Sequence, residues 1–317
     1  MAWRVPDHRG GRAFRTLTAI GACAAAIALA SPNPASAHNT TFAELKARPH
    51  SAKPDARLRY GDQPAQVVDL WLPKGPGPHP VVIMIHGGCW IESVASLNLQ
   101  DFVSEDLRAH GVAVWNIEYR RLGEAGGGYP GTFEDAANAV DLLGADAAKY
   151  HLSLDHVVAV GHSAGGHLAL WAASRRNLAT SSPLWSAHPQ RIDTVVAIGE
   201  LGDLHDDPPV VAGGCGGDTV AKLVGSPTTA HPNVYADTSP DLMEPSPARE
   251  ILIHGAVDDI APPKAGEDYR ASALKHGGNP ELVVIPGANH FDLVTPETDA
   301  WGKIRAVIFE ALHRKPS

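Results

Sequence analysis

The sequence predicts a single α/β domain with a mostly parallel central sheet and helices on both faces. Three observations carry that expectation. Short runs rich in Val and Ile alternate along the chain with longer stretches of helical period, the pattern of repeated strand–helix–strand units. Several of these runs are apolar on both faces, as strands covered from both sides are. Neither an internal repeat nor an inter-domain linker interrupts the alternation, so the 317-residue chain is read as one folding unit behind an N-terminal extension.

Residues 1–37 are predicted to be a secretory signal peptide. Arg4, Arg9, Arg12 and Arg15 form a basic region, Leu17 to Ala30 an apolar stretch, and Ala35-Ser36-Ala37 a small-x-small cleavage site before His38. The apolar stretch is shorter than the roughly 20 residues of a spanning helix, so no stable membrane insertion is expected after cleavage. Ile20-Gly21-Ala22-Cys23 resembles a lipoprotein box only faintly, because few apolar residues precede it. The expected destination is the periplasm, the cell envelope or the medium.

Residues 38–58 are polar, carry Pro49 and Pro54 and show no clean period; they are read as a lead-in, with the folded domain over 59–317. Strands are expected at Val67–Leu72, Val81–Ile85, Val112–Ile117, Val157–Val160, Thr194–Ile198, Ile251–Ile253 and Leu282–Ile285. Helices are expected near 97–110, 132–149, 164–176, 264–276 and 297–313. The Gly/Pro-rich stretch 202–249 breaks the alternation and is read as an excursion over the edge of the sheet.

Composition narrows the function. With 44% hydrophobic and 19% charged residues the chain has the makings of a globular core. A net charge of -9 without a run of like charge argues against a nucleic-acid partner. Three cysteines cannot supply a disulfide framework or a Cys-rich zinc site. The 17 histidines show no metal spacing: His162 and His167 do not converge across a turn–helix junction. Asp203, His205, Asp206 and Asp207 match no calcium loop and are read as solvated. Gly213 to Gly217 lacks the Lys-Ser/Thr sequel of a phosphate loop. No cofactor or metal is expected.

The chemistry centres on Gly161-His162-Ser163-Ala164-Gly165-Gly166, directly between the strand Val157–Val160 and a helical run. Glycines around the serine permit a turn sharp enough to present its hydroxyl, and the N–H groups that follow open a helix. Serine is a weak nucleophile at neutral pH, so it needs a base and a group that orients the base. Asp258 and Asp259 follow the strand Ile251–Ile253, and His290 follows Leu282–Ile285, each at the carboxyl edge where Ser163 would emerge. Taken singly, either aspartate could be a turn residue and His290 an ordinary loop histidine. Their joint order, serine then acid then histidine, favours a triad. His86-Gly87-Gly88-Cys89-Trp90 follows Val81–Ile85, and adjacent glycines let backbone N–H groups approach a developing oxyanion. The donors are assigned to Gly88, Cys89 and Ala164, with Gly87 as the alternative. His86 is read as structural, Trp90 as either a pocket wall or a core residue, and Glu200 as able to reach the rim of the site.

These motifs together resemble the serine hydrolases of the α/β-hydrolase fold. His-Gly-Gly-x-Trp, Gly-x-Ser-Ala-Gly-Gly-His, His-Gly-x-x-Asp and a late His are most similar to hormone-sensitive-lipase-like esterases and arylformamidases (kynurenine formamidases), with feruloyl and acetylxylan esterases close by. The similarity runs from about Tyr60 to about His313. It implies Ser163 as nucleophile, His290 as base and Asp258 as acid, since Asp258 is the fourth residue after His254. Cys89 stands where the lipase-like esterases usually carry a third glycine, and the signal peptide does not suit a cytoplasmic formamidase. The expected partner is a small-molecule ester. Amide hydrolysis by the same residues, and a non-catalytic binding protein, are the competing readings.

Cys89 and Cys215 are the cysteines left after signal removal. Because the compartment is oxidising, a disulfide between them is weighed against two separate buried thiols, and the sequence leaves both open.

Overall fold

Residues 39–205 and 208–313 are described by the computed structural model. The expected signal peptide, its cleavage site at His38, and Asp206 and Asp207 lie outside the described residues. The chain runs α1 (Phe42–Ala47), β1 (Ala56–Arg59), β2 (Val67–Trp71) and β3 (His79–Ile85), then α2 (Asp101–Ala109), β4 (Ala113–Ile117) and α3 (Gly131–Asp146). Next come β5 (Leu152–His162), α4 (Ala164–Ser174), β6 (Thr194–Ile198), α5 (Pro208–Cys215) and α6 (Thr219–Val224). The last elements are β7 (Arg249–Gly255), α7 (Pro263–Lys275), β8 (Glu281–Ile285) and α8 (Asp299–His313).

The strands form one sheet in the order β1-β2-β4-β3-β5-β6-β7-β8. β1 and β2 are antiparallel, and every pairing from β4 to β8 is parallel. Valine and isoleucine alternate across the sheet and are covered on both sides. Ile83, Ile85, Ala159, Val195 and Leu252 join one core with α3 and α4; Val82, Met84, Val160, Val196 and Ile253 join the other with α2 and α8. Truncating one of the buried isoleucine, leucine or methionine side chains to alanine costs about 2–5 kcal/mol. α4 is buried all round, as the apolar Leu168-Ala169-Leu170-Trp171 run requires.

Register sets where chemistry can gather. Ile85 pairs with Gly161, His162 with Ile198, Ile198 with Ile253, and Gly255 with Ile285. The strands therefore end level, and the loops after β3, β5, β6, β7 and β8 leave from one edge. Among the described residues no helix is long and apolar enough to cross a membrane.

The two segments outside the strand–helix alternation take definite form. The lead-in carries regular structure: Thr41 caps α1 by accepting from the Glu44 N–H at 3.2 Å, while Glu44 Oε2 accepts from the Thr41 N–H at 2.8 Å. This Thr-x-x-Glu capping box was a legible helix signal, and Ala56–Arg59 pairs with β2. The excursion also packs closely on the domain. It connects the neighbouring strands β6 and β7, and Val211, Val220 and Leu223 pack into the same core as α4. Two side chains of α4 hold it: His167 Nε2 donates to Thr238 O at 2.8 Å and Trp171 Nε1 to Asp237 O at 2.8 Å.

Candidate active site

β5 ends at His162 and α4 begins at Ala164, which leaves Ser163 to make the whole turn. It does so with φ 56° and ψ −123°, a backbone conformation that costs a non-glycine residue about 1–3 kcal/mol. The turn is over-determined. Ser163 N–H donates to Ile198 O at 2.8 Å, and a Cβ on Gly165 would stand 2.1 Å from the Ile85 carbonyl, so only glycine lets the helix start this close to β3. As the first residue of α4, Ala164 has an N–H with no acceptor in its own helix.

His290 and Asp258 meet as the order of the motifs expects. His290 Nδ1 lies 2.7 Å from Asp258 Oδ2, and both residues are buried. The other oxygen, Asp258 Oδ1, accepts from the N–H groups of Ile260 and Ala261 at 2.9 and 2.8 Å. Burial pushes the Asp258 pKa up, but the His290 hydrogen bond and charge and these two amides outweigh it, and the net shift is down. Asp258 is thus an acceptor throughout the neutral range, which holds the His290 proton on Nδ1 and leaves Nε2 as the basic atom. Asp259 is exposed.

His162 joins serine and base. Its Nε2 donates to the His290 carbonyl at 3.0 Å, and the two rings lie 4.4 Å apart. Burial, then the proximity of His290, pushes its pKa down to about 3, so His162 stays neutral. Among the described residues no hydrogen bond joins the Ser163 hydroxyl to the His290 ring; in unliganded sites that bond is often long and tightens with substrate.

The loop after β3 runs against the serine. A Cβ on Gly87 would lie 2.9 Å from Ser163 Cβ, which brings this loop as close as a backbone can come. Gly88 (φ 108°), Cys89 (φ 58°) and Trp90 (φ 56°) follow in left-handed conformation. His86 anchors the loop as a structural residue: Nδ1 contacts Gly87 O at 2.7 Å and Nε2 contacts Glu118 Oε1 at 2.6 Å. Trp90 is fully buried, edge-on to His167, and is a core residue. Cys89 and Cys215 are joined in a disulfide.

Other expectations are corrected. Glu200 does not reach the rim; it is fully buried, bonded to the Gly202 N–H and 3.6 Å from His254 Nε2. Asp203 is buried rather than solvated, and its Oδ1 accepts from the His205 N–H at 3.0 Å. One wall of the region escaped sequence reasoning. Phe42 of α1 stacks on Phe291 at 5.3 Å, and Thr40 and Asn39 bond to Asp292, so the N-terminal segment packs beside the His290 loop.

A level parallel sheet with a strained serine between β5 and α4, beside a buried His–Asp pair, defines the class as the α/β-hydrolase fold. The chain belongs to the BD-FAE family, whose profile matches residues 68–272. It is 30% identical over 251 residues to esterase LipC of Mycobacterium tuberculosis, covering 75% of this chain and 60% of LipC. The chain thus spans less than two thirds of that relative. Among solved structures it resembles Esterase B of Lactobacillus rhamnosus, at TM-score 0.67 and 20% identity over 86% of this chain and 89% of that one. A truncated carbohydrate esterase from gut microbiota matches at TM-score 0.63 and 18% identity, over 83% of this chain and 98% of that one. At these identities the structural likeness bears on the fold alone.

Proposed function

We propose that this protein is an exported serine hydrolase that cleaves small carboxylic esters through an acyl-enzyme on Ser163. The observation that carries the reading is the buried His290–Asp258 pair at 2.7 Å, held against the left-handed Ser163 turn by the His162–His290 carbonyl bond. The esterase name of LipC supports it.

Ser163 Oγ attacks the acyl carbon while His290 Nε2 takes its proton, and Asp258 stabilises the imidazolium. The carbonyl electron pair moves to oxygen, where backbone N–H groups of Ala164 and of Gly88 or Cys89 receive it. Such donors contribute about 3–4 kcal/mol each to the transition state. Collapse expels the alcohol with the proton from His290. Water then repeats the sequence on the acyl-enzyme, returning the serine and releasing the acid.

Two measurements test the reading. A fluorophosphonate probe labels the wild-type protein at Ser163, and labelling vanishes in Ser163→Ala. A panel of p-nitrophenyl, acetyl-sugar and feruloyl esters beside N-formylkynurenine then reads the bond cleaved. Persistent labelling of Ser163→Ala overturns the nucleophile, and turnover of the formamide alone replaces ester with amide chemistry.

A further inference from the structure

His254 closes the apolar run of β7 and is fully buried. Its Nδ1 lies 3.0 Å from the carbonyl oxygen of Ala261. A carbonyl oxygen only accepts, so Nδ1 carries a proton. The N–H of the same Ala261 donates to Asp258 Oδ1 at 2.8 Å. His254 therefore braces the far end of the turn that cradles the Asp258 carboxylate.

The opposite face of the ring is where a proton is needed. Nε2 and Glu200 Oε1 face each other at 3.6 Å, both residues fully buried and neither atom hydrogen-bonded. Glu200 Oε2 is held by the Gly202 N–H. On the other side a Cβ on Gly266 would lie 2.5 Å from Nε2, so α7 packs the ring in place. With Nδ1 already protonated, a neutral imidazole would aim a lone pair at a carboxylate oxygen where no water screens the repulsion. One proton between Nε2 and Oε1 turns repulsion into attraction, as imidazolium with carboxylate or as imidazole with carboxylic acid.

We propose that His254 and Glu200 are positioning residues that share one buried proton and, through the His254–Ala261 bond, keep the 258–261 turn aimed so that Asp258 meets His290. This rests on the Ser163–His290–Asp258 reading above. The titratable groups facing the pair are Glu200 after β6, Asp258 after β7, Glu250 on β7 and Tyr269 on α7, with Asp241 of the excursion acting on Tyr269. Burial lowers the His254 pKa, but the Glu200 charge and contact outweigh it and the net shift is up. A raised value means that the shared proton is held below the ordinary imidazole range, near pH 6.5, and is lost as pH climbs through the folded value, when the Nε2 lone pair and the Glu200 carboxylate repel and shift the ring against Ala261. Turnover then declines on the alkaline side.

Glu200→Gln is the decisive variant. Its amide oxygen keeps the Gly202 N–H, and its amide nitrogen donates to Nε2, so the pair no longer titrates. The pH profiles of kcat and KM, from about pH 6 to about pH 10, are measured for wild type, Glu200→Gln, Glu200→Ala and His254→Asn on one ester. The wild type should lose kcat on the alkaline limb with KM nearly constant, and Glu200→Gln should lack that limb. His254→Asn, whose side-chain N–H can still reach Ala261 O, should also lack it. Glu200→Ala should lose about 10- to 100-fold in kcat. A wild type with no alkaline decline, or a Glu200→Gln profile that superimposes on it, overturns the proposal. Should Glu200→Ala fail to fold by circular dichroism, the other two variants decide. Asp258→Asn in the same series separates the layers: wild-type turnover there removes the triad reading, whereas its collapse beside an unaltered Glu200→Gln removes only the positioning pair.

Discussion

Cys89 and Cys215 are joined by a disulfide that links positions 126 residues apart, with their Cα atoms 5.4 Å from each other. Cys89 lies in the left-handed loop beside Ser163, and Cys215 ends α5. A Cβ on the preceding Gly214 would stand 2.8 Å from Ile260 Cγ2, so α5 also touches the turn that holds Asp258. One short helix thus spans two of the loops on which the proposed chemistry depends.

Closing a loop of this length removes unfolded-chain entropy worth about 4–5 kcal/mol, before any native strain is subtracted. Cys215→Ser should therefore lower Tm by roughly 10 °C and reduce kcat more than it changes KM. Thermal unfolding with and without reductant measures this. An unmoved Tm, or both cysteines recovered alkylated from unreduced protein, would contradict the bond.

Ser163→Ala should cut ester turnover by at least about 10⁴-fold with the fold intact. Asp258→Asn should cost far more than Asp259→Asn, because Asp258 meets His290 at 2.7 Å and Asp259 is exposed. Steady-state kinetics on one ester rank them; a reversed order would move the acid role to Asp259.

Burial pushes the His167 pKa down to about 4, and its Nε2 donates to Thr238 O. Between the ordinary imidazole value near 6.5 and that depressed one, the unfolded chain binds a proton that the folded chain refuses, so His167 removes stability as pH falls. His167→Gln should gain about 2–3 kcal/mol relative to wild type between pH 7.5 and pH 4.5. The difference is the quantity to read, because Asp241 and Glu250, raised by burial to about 6 and about 7, titrate in the opposite sense. Urea unfolding at both pH values checks it, and a constant difference would contradict the linkage.

Export should yield a mature chain beginning at His38, after Ala35-Ser36-Ala37. Intact mass of the protein recovered outside the cytoplasm reads the cut. A chain that retains Met1 to Ala37, or is acylated on Cys23, would contradict it.

Local rules were enough for much of this molecule. Val/Ile runs against helical period disclosed the seven strands from Val67 onward and five of the helices within a few residues. The reason is that a strand buried on both faces has little freedom in composition. Motif order alone brought Ser163, Asp258 and His290 to one edge, because parallel strands that end level deliver their loops together. The Thr41–Glu44 capping box was equally local and went unread.

What only the tertiary structure decided depends on packing between residues far apart in the chain. Composition marked 202–249 as irregular, but its place over α4 follows from His167 and Trp171 bonding to carbonyls 71 and 66 residues away. The Cys89–Cys215 bond needed the Cα separation, which no spacing encodes. Glu200 read as a rim residue because it follows a strand, and became half of a buried pair because β6 and β7 are neighbours. Periodicity reports which face of an element is buried; it does not report which distant side chain will be there to meet it.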